Sequence, residues 1–136
     1  MKVDGKCLCG FLQYEAEVDA ESTLICHCRD CQTLAGSAFR TSVEVVDGVR
    51  FLMGTPKQYV KVADSGNKRV LGFCPECGSS VYSKPEEGKA GFFGLRVGSL
   101  TQCDKLIPRS PAWTDRIASI PRLDRDLRHS AGPHNY

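Results

Sequence analysis

The distribution of cysteine constrains this chain more than any other feature of its sequence. Seven of the eight cysteines fall into three short clusters, Cys7-Leu-Cys9, Cys26-His-Cys28-Arg-Asp-Cys31 and Cys74-Pro-Glu-Cys77. Alternate residues of an extended segment share a face, and a tight turn brings positions i and i+3 together, so thiolates at these spacings can face one ion. The spacing therefore predicts metal binding, with zinc as the expected metal.

Disulfide bonds are the main alternative for a chain with eight cysteines. The first residues, Met1 to Gly5, lack the apolar stretch of a secretory signal, so we expect a cytoplasmic protein, in which disulfides are rare. Closely spaced Cys-x-Cys pairs are poor disulfide formers, and 136 residues can bury an adequate core without covalent crosslinks. These observations favour metal over a framework of structural or redox-active disulfides.

Composition predicts one domain over residues 1–136. The hydrophobic content of 41% and charged content of 25% are ordinary for a globular protein, and no apolar run approaches the roughly 18–20 residues of a membrane span. The formal charge of +2 becomes −1 when seven thiolates subtract seven and two zinc ions add four. The 18 basic residues are scattered among 16 acidic ones, so we expect neither a nucleic-acid partner nor a membrane.

The pattern of apolar residues predicts a mostly β, antiparallel fold. Alternation at Leu12–Val18 and Phe39–Val45 is typical of half-buried strands. Further strands are expected at Arg50–Met53, Tyr59–Val62, Arg69–Phe73, Ser80–Ser83 and Gly91–Gly98. One short helix is predicted at Arg29–Ala35, ending at Gly36, and a second brief helix at Leu123–Arg128. We expect residues 130–136 to be a loose tail.

The first and third clusters together predict a closed site. In Cys74-Pro-Glu-Cys77-Gly78, Pro75 shapes the turn and Gly78 accepts the positive φ that directs backbone N–H groups toward the sulfurs. One Cys-x-x-Cys pair supplies only two ligands. Cys7 and Cys9, predicted on one face of an extended N-terminal strand, would supply the other two. Such a four-thiolate zinc would be structural.

The middle cluster predicts a site with an open position. Cys26 and Cys28 share a face if extended, and Cys28 and Cys31 share one at the first helical turn, where backbone N–H groups favour thiolate charge. His27 lies between two ligands of an alternating segment and is expected to point away from their ion, as a substrate contact or an exposed side chain. Cys103 has no partner at ligand spacing. A second closed site completed by Cys103 remains the alternative.

The charge of the middle site indicates the kind of chemistry. A zinc ion with three thiolates carries a net charge of −1, so it acidifies bound water less than zinc with neutral ligands does. Hydroxide-driven hydrolysis is therefore disfavoured. A thiolate-rich zinc is better suited to take an exogenous thiol as its fourth ligand and to present that sulfur to an electrophile. Addition of a thiol to a carbonyl, or the reverse, fits this arrangement.

The motifs, in their order along the chain, resemble a known family. They are Gly5-Lys-Cys7-Leu-Cys9-Gly10, Cys26-His-Cys28-Arg-Asp-Cys31 with Ala35-Gly-Ser-Ala-Phe39, Phe73-Cys74-Pro-Glu-Cys77-Gly78 and Val97-Gly-Ser-Leu100. Over about residues 3–100 the chain is similar to the glutathione-dependent formaldehyde-activating enzymes and centromere protein V. The later residues depart from the family pattern, and only Trp113 and Ile120–Leu123 resemble its usual ending.

The resemblance implies a β-tent fold of small antiparallel sheets and two zinc ions per chain. It implies a structural zinc at Cys7, Cys9, Cys74 and Cys77, and a catalytic zinc, the more labile of the two, at Cys26, Cys28 and Cys31. It also implies a carbon–sulfur lyase activity that interconverts glutathione and formaldehyde with S-hydroxymethylglutathione. Two other classes stay open: a zinc-stabilised protein-binding module without catalysis, and a redox protein that uses Cys28-Arg-Asp-Cys31.

Overall fold

The computed structural model describes residues 1–63 and 66–112. The helix predicted at Leu123–Arg128, the tail at 130–136 and the two C-terminal segments that resemble the family ending lie outside these residues. One α-helix, α1, spans Arg29–Ala35, as the sequence predicts. The strands are β1 (Lys2–Lys6), β2 (Gln13–Cys26), β3 (Arg40–Met53), β4 (Lys57–Val62), β5 (Lys68–Phe73), β6 (Ser80–Pro85), β7 (Gly94–Arg96) and β8 (Ser110–Ala112). Short 3₁₀ turns span Val97–Ser99 and Cys103–Lys105.

The described strands form one sheet in the order β1-β2-β3-β7-β6-β5-β4, in which every neighbouring pair is antiparallel. Strand β8 lies off this path and pairs in parallel with the end of β2. The expectation of a mostly β, antiparallel fold with a short helix is confirmed. Where the implied β-tent has small sheets, the described strands form one continuous sheet, in which β2 and β3 are 14 residues long.

Four predicted strands have different bounds in the structure. The strand predicted at Leu12–Val18 continues to Cys26, because register shifts opposite β3 let the polar stretch after Asp19 stay in the sheet. The two strands predicted at Phe39–Val45 and Arg50–Met53 are one strand, β3. The segment predicted at Gly91–Gly98 is a strand only over Gly94–Arg96, since the chain turns into a 3₁₀ helix at Val97.

The core is formed mainly by side chains of β2, β3, β6 and β7. Tyr14, Val18, Val43 and Leu95 are each at most 1% exposed. Removing a side chain of this size from water contributes about 1.5–3 kcal/mol. The core cluster also includes Cys7 and Cys74, so the closed site is continuous with the packed interior. The helices among residues 1–63 and 66–112 lack the length and the hydropathy that spanning a lipid bilayer requires.

Candidate metal centres and the adjoining cavity

The structure brings Cys7, Cys9, Cys74 and Cys77 together, although 64 residues separate Cys9 from Cys74. Their four sulfurs lie within 4.8 Å of one another. The Sγ atoms of Cys7 and Cys9 are 3.5 Å apart, and those of Cys9 and Cys74 are 3.8 Å apart. Four sulfurs placed tetrahedrally at a zinc–sulfur distance of about 2.3 Å would be separated by about 3.8 Å. The four-cysteine cluster therefore fits a tetrahedral zinc ion.

Two turns present these four thiols. Gly78, with a φ of 73°, donates its N–H to the carbonyl oxygen of Cys74 at 3.0 Å and closes the turn predicted from the sequence. The expectation for the other pair is wrong, because β1 ends at Lys6 and Cys7 begins a turn. That turn is closed by the N–H of Gly10, which donates to the carbonyl oxygen of Cys7 at 3.1 Å. Cys7 is consequently buried while Cys9 is exposed.

Hydrogen bonds around the four-cysteine cluster favour the thiolate form of Cys7 and Cys77. The Leu12 N–H donates to the Cys7 sulfur at 3.2 Å. The Ser79 hydroxyl lies 3.1 Å from the Cys77 sulfur and accepts the Leu8 N–H at 3.1 Å, so it ties the two turns together. The Ser79 hydroxyl and N–H lower the pKa of Cys77 to about 5. Polar partners of this kind orient ligands and tune a metal site.

The structure also brings Cys26, Cys28 and Cys31 together, with their sulfurs within 4.8 Å of one another. Cys26 ends β2, and Cys28 is the N-cap of α1 in an extended conformation, with a φ of −63° and a ψ of 154°. The Cys28 sulfur accepts the Cys31 N–H at 3.4 Å. Three thiols therefore converge at the junction of a strand and a helix, with room for one ion and for a fourth ligand that the cluster itself does not supply.

The two outer thiols of this cluster differ in acidity. Hydrogen bonding from the Cys31 thiol, with smaller contributions from the Cys28 backbone and the charge of Arg40, lowers the pKa of Cys26 to about 5 against the effect of burial. The same hydrogen bond with Cys26, together with burial, raises the pKa of Cys31 far above the usual range. Adjacent thiols thus ionise one at a time. A cation that replaces their protons stabilises all the thiolates together.

A cavity of about 340 Å³ opens beside the three-cysteine cluster, and all three cysteines lie in its wall. Three arginines from three different strands share that wall, namely Arg40, Arg69 and Arg96. These three arginines were not predicted as site residues from the sequence. The available signal is a single charged residue, Arg96, inside the otherwise apolar run from Gly91 to Gly98, where a strand buries both of its faces.

His27 and Cys103 lie outside both cysteine clusters. The His27 ring packs edge-on against Phe39, with ring centroids 5.8 Å apart, and the structure does not place it among the groups able to hold an ion. Cys103 is exposed in a 3₁₀ turn and, among the described residues, belongs to neither set of convergent ligands. Neither residue is among the convergent ligands of the middle cluster in the described part of the chain.

In the part of the chain that the structure describes, the fold and its cysteines define a mostly β protein with two clusters able to hold metal ions, one of four thiols and one of three thiols beside a cavity. The family model of the glutathione-dependent formaldehyde-activating enzyme matches residues 2–116, and the chain belongs to this family. A search of curated proteins found no match. The crystal structure of a Rhodobacter sphaeroides protein, a structural genomics target, aligns with a TM-score of 0.55 and 20% identity over 82% of this chain and 99% of that one. At this identity the likeness shows the fold alone.

Proposed function

We propose that this protein is a zinc-dependent carbon–sulfur lyase. A thiol, glutathione or a similar molecule, binds beside Cys26, Cys28 and Cys31 and is added to, or released from, a small aldehyde such as formaldehyde. We propose two zinc ions per chain, the structural one held by Cys7, Cys9, Cys74 and Cys77. The family, whose description names glutathione and formaldehyde, supports the choice of reactants.

The observation that carries the proposal is the contrast between the two clusters. The four-cysteine cluster offers a complete tetrahedral set and includes two core residues, Cys7 and Cys74. The middle cluster offers three thiols and faces a cavity of about 340 Å³. A zinc with three protein ligands and one position for substrate is the usual form of a catalytic site, whereas four protein ligands are usual for a structural one.

The chain's residues account for binding and orientation in the reaction. Cys26, Cys28 and Cys31 would hold zinc, which lowers the pKa of a bound thiol so that it is present as thiolate at neutral pH. In the forward direction the thiol proton passes to solvent, the sulfur lone pair forms a bond to the carbonyl carbon, the carbonyl π pair moves to oxygen, and the oxygen takes a proton from solvent. The product is a hemithioacetal. Release reverses each of these bond changes.

The test compares Cys28→Ser with Cys103→Ser. Cys28 is partly exposed and begins a helix of seven residues, so we expect its replacement to leave the protein folded. In Cys28→Ser the affinity for the thiol, measured by calorimetry, should fall about tenfold to a hundredfold, the effect expected from disturbing a metal site. The rate of thiol-dependent formaldehyde consumption should fall by a similar factor. Cys103→Ser should match the parent protein in both measurements.

The same comparison separates catalysis from a protein-binding role. A zinc-stabilised binding module needs the four-cysteine cluster but has no requirement for a thiol beside the middle one. If the parent protein binds neither glutathione nor a smaller thiol with two zinc ions present, the proposed lyase function is wrong. Full activity in a folded Cys28→Ser protein that has lost its second zinc would equally contradict it.

A further inference from the structure

The three arginines in the cavity wall, Arg40, Arg69 and Arg96, are here called the arginine cluster. Arg96 is 6% exposed, and its Nη1 donates to the hydroxyl of Ser42. Arg69 is held in place by its Nη2, which donates to the Phe92 carbonyl oxygen at 2.6 Å and to the Ser83 hydroxyl at 3.2 Å. These contacts fix two guanidinium groups against the cavity without giving either of them an acidic partner.

Several buried donors of the arginine cluster have no hydrogen-bond partner among the described residues. They are Nε and Nη2 of Arg96 and Nε and Nη1 of Arg40. One carboxylate lies in the described wall of the cavity, that of Asp30, and it pairs with Lys61. Burying a cation without a hydrogen-bonded anion is costly, and guanidinium forks match carboxylates in a bidentate manner. Arg40 and Arg96 therefore have free donors for an anion, and among the described residues no carboxylate is available to fill that role.

The thiolates of the middle cluster only partly balance this charge. Three arginines contribute +3 and three thiolates −3, so zinc leaves the site at +2. A thiolate substrate lowers the total to +1, and one further negative charge brings it to zero. The arginines also repel one another, since burial and the charge of Arg40 lower the pKa of Arg96 to about 9. A substrate with an anionic group in addition to its reacting centre would relieve that repulsion.

We propose that Arg40 and Arg96, supported by Arg69, form a carboxylate-binding subsite beside the three-cysteine cluster. The substrate of this site carries a carboxylate close to its reacting sulfur or to its carbonyl carbon. The identity of that substrate as a thiol or an aldehyde rests on the proposed function, whereas the carboxylate subsite rests on the arginines. Formaldehyde has no carboxylate, so the group must come either from the thiol or from an aldehyde acid.

The experiment measures binding to the zinc-loaded full chain by calorimetry with matched probes. The thiol arm compares mercaptoacetate with its neutral amide, mercaptoacetamide, and the aldehyde arm compares glyoxylate with glycolaldehyde. Acetate probes the subsite without any reacting group. The acid of the correct arm should bind about tenfold to a hundredfold more tightly than its neutral counterpart, as expected for a charge-assisted bidentate contact. Equal affinities within both pairs overturn the proposal.

Arg96→Met and Arg40→Gln test the residues, and Arg50→Met is the control. Arg50 is exposed and pairs with Glu15, away from the cavity wall. Each cavity variant should lose the preference for the acid while retaining the affinity for the neutral thiol, and the control should keep both. Arg96→Met removes a buried charge without an acidic partner, so it should unfold no more easily than the parent. If it does not fold, the partly exposed Arg40 carries the test.

The outcomes for the subsite and for the proposed function can be told apart. If the acid and its neutral counterpart bind equally well in both arms and acetate does not bind, the subsite is wrong and the lyase proposal stands. If neither thiol binds but acetate binds the parent and not Arg96→Met, the lyase proposal is wrong and the subsite stands. A preference for the acid that survives in both arginine variants assigns the anion to other residues and overturns the proposal.

Discussion

Replacing Cys9 by serine isolates the contribution of metal at the four-cysteine cluster. Cys9 is exposed, so the substitution removes a ligand without opening a cavity in the core. Cys103 is also exposed but lies outside both clusters, which makes Cys103→Ser a matched control with the same chemical change. In the absence of metal the two variants should behave alike.

The size of the effect follows from the loop that the ion closes. An ion held by Cys9 and Cys74 joins segments separated by 64 residues. The entropy of closing such a loop, (3/2)RT ln n, is about 3.7 kcal/mol. For a chain of this length that free energy corresponds to a melting temperature about 10–20 °C lower. Structural zinc in small peptides contributes about 10–16 kcal/mol, so the loop term is a lower bound.

The assay is denaturant unfolding of the parent, Cys9→Ser and Cys103→Ser, with zinc content measured on each sample. Cys9→Ser should contain one zinc fewer, and its free energy of unfolding should be lower than that of the parent by about 4 kcal/mol or more. The free energy of unfolding of Cys103→Ser should stay within about 0.5 kcal/mol of the parent value. Removing metal with a chelator should abolish the difference. If Cys9→Ser matches Cys103→Ser while zinc is bound, the structural role of this cluster is refuted.

Two further predictions concern the sheet and the middle cluster. Gly72→Ala should destabilise the fold by about 1–3 kcal/mol, because a Cβ there would overlap the buried ring of Tyr82 on the next strand. Gly98→Ala places its Cβ in open space and should leave the stability nearly unchanged. Chemical denaturation of both variants measures the difference. In metal-stripped protein the Cys31 thiol lowers the pKa of Cys26 from 9.0 to about 5. The rate at which Cys26 is alkylated should therefore fall to half of its high-pH value near pH 5. The contribution of the Cys26 thiolate to the free energy of unfolding should be fully present above pH 9 and should be lost as the pH falls through 5. A single alkylation midpoint near pH 9 would contradict the effect of the neighbouring thiol.

Local patterns predicted most of the secondary structure. Helix α1 was predictable because Gly36 ends it in the left-handed conformation, with a φ of 60°, that glycine adopts without strain. Strand lengths were less predictable, since the extension of β2 to Cys26 depends on pairing with β3 and not on its own alternation. The conformation of the Cys7–Gly10 turn also could not be read from the spacing, because both a strand and a turn place two such thiols near one ion.

The grouping of the cysteines was predictable, but their surroundings were not. Ligand spacing indicated which thiols converge, because metal sites take their donors largely in closely spaced sets such as Cys-x-Cys and Cys-x-x-Cys. The arginines of the cavity come from β3, β5 and β7, and their proximity to the middle cluster depends on the strand order β3-β7-β6-β5. No local pattern encodes that order. The substrate preference proposed for the cavity thus emerges only from the folded sheet.

The most direct test of the account is cadmium NMR of protein loaded with cadmium at both proposed metal sites, because cadmium is a soft ion that thiolates hold well. The central claim is one closed four-thiolate site and one three-thiolate site with a position for a thiol. The spectrum should therefore show two resonances, and adding mercaptoacetate should shift one of them and leave the other unchanged. A single resonance, or two resonances that both stay at the same position when the thiol is added, would contradict the claim.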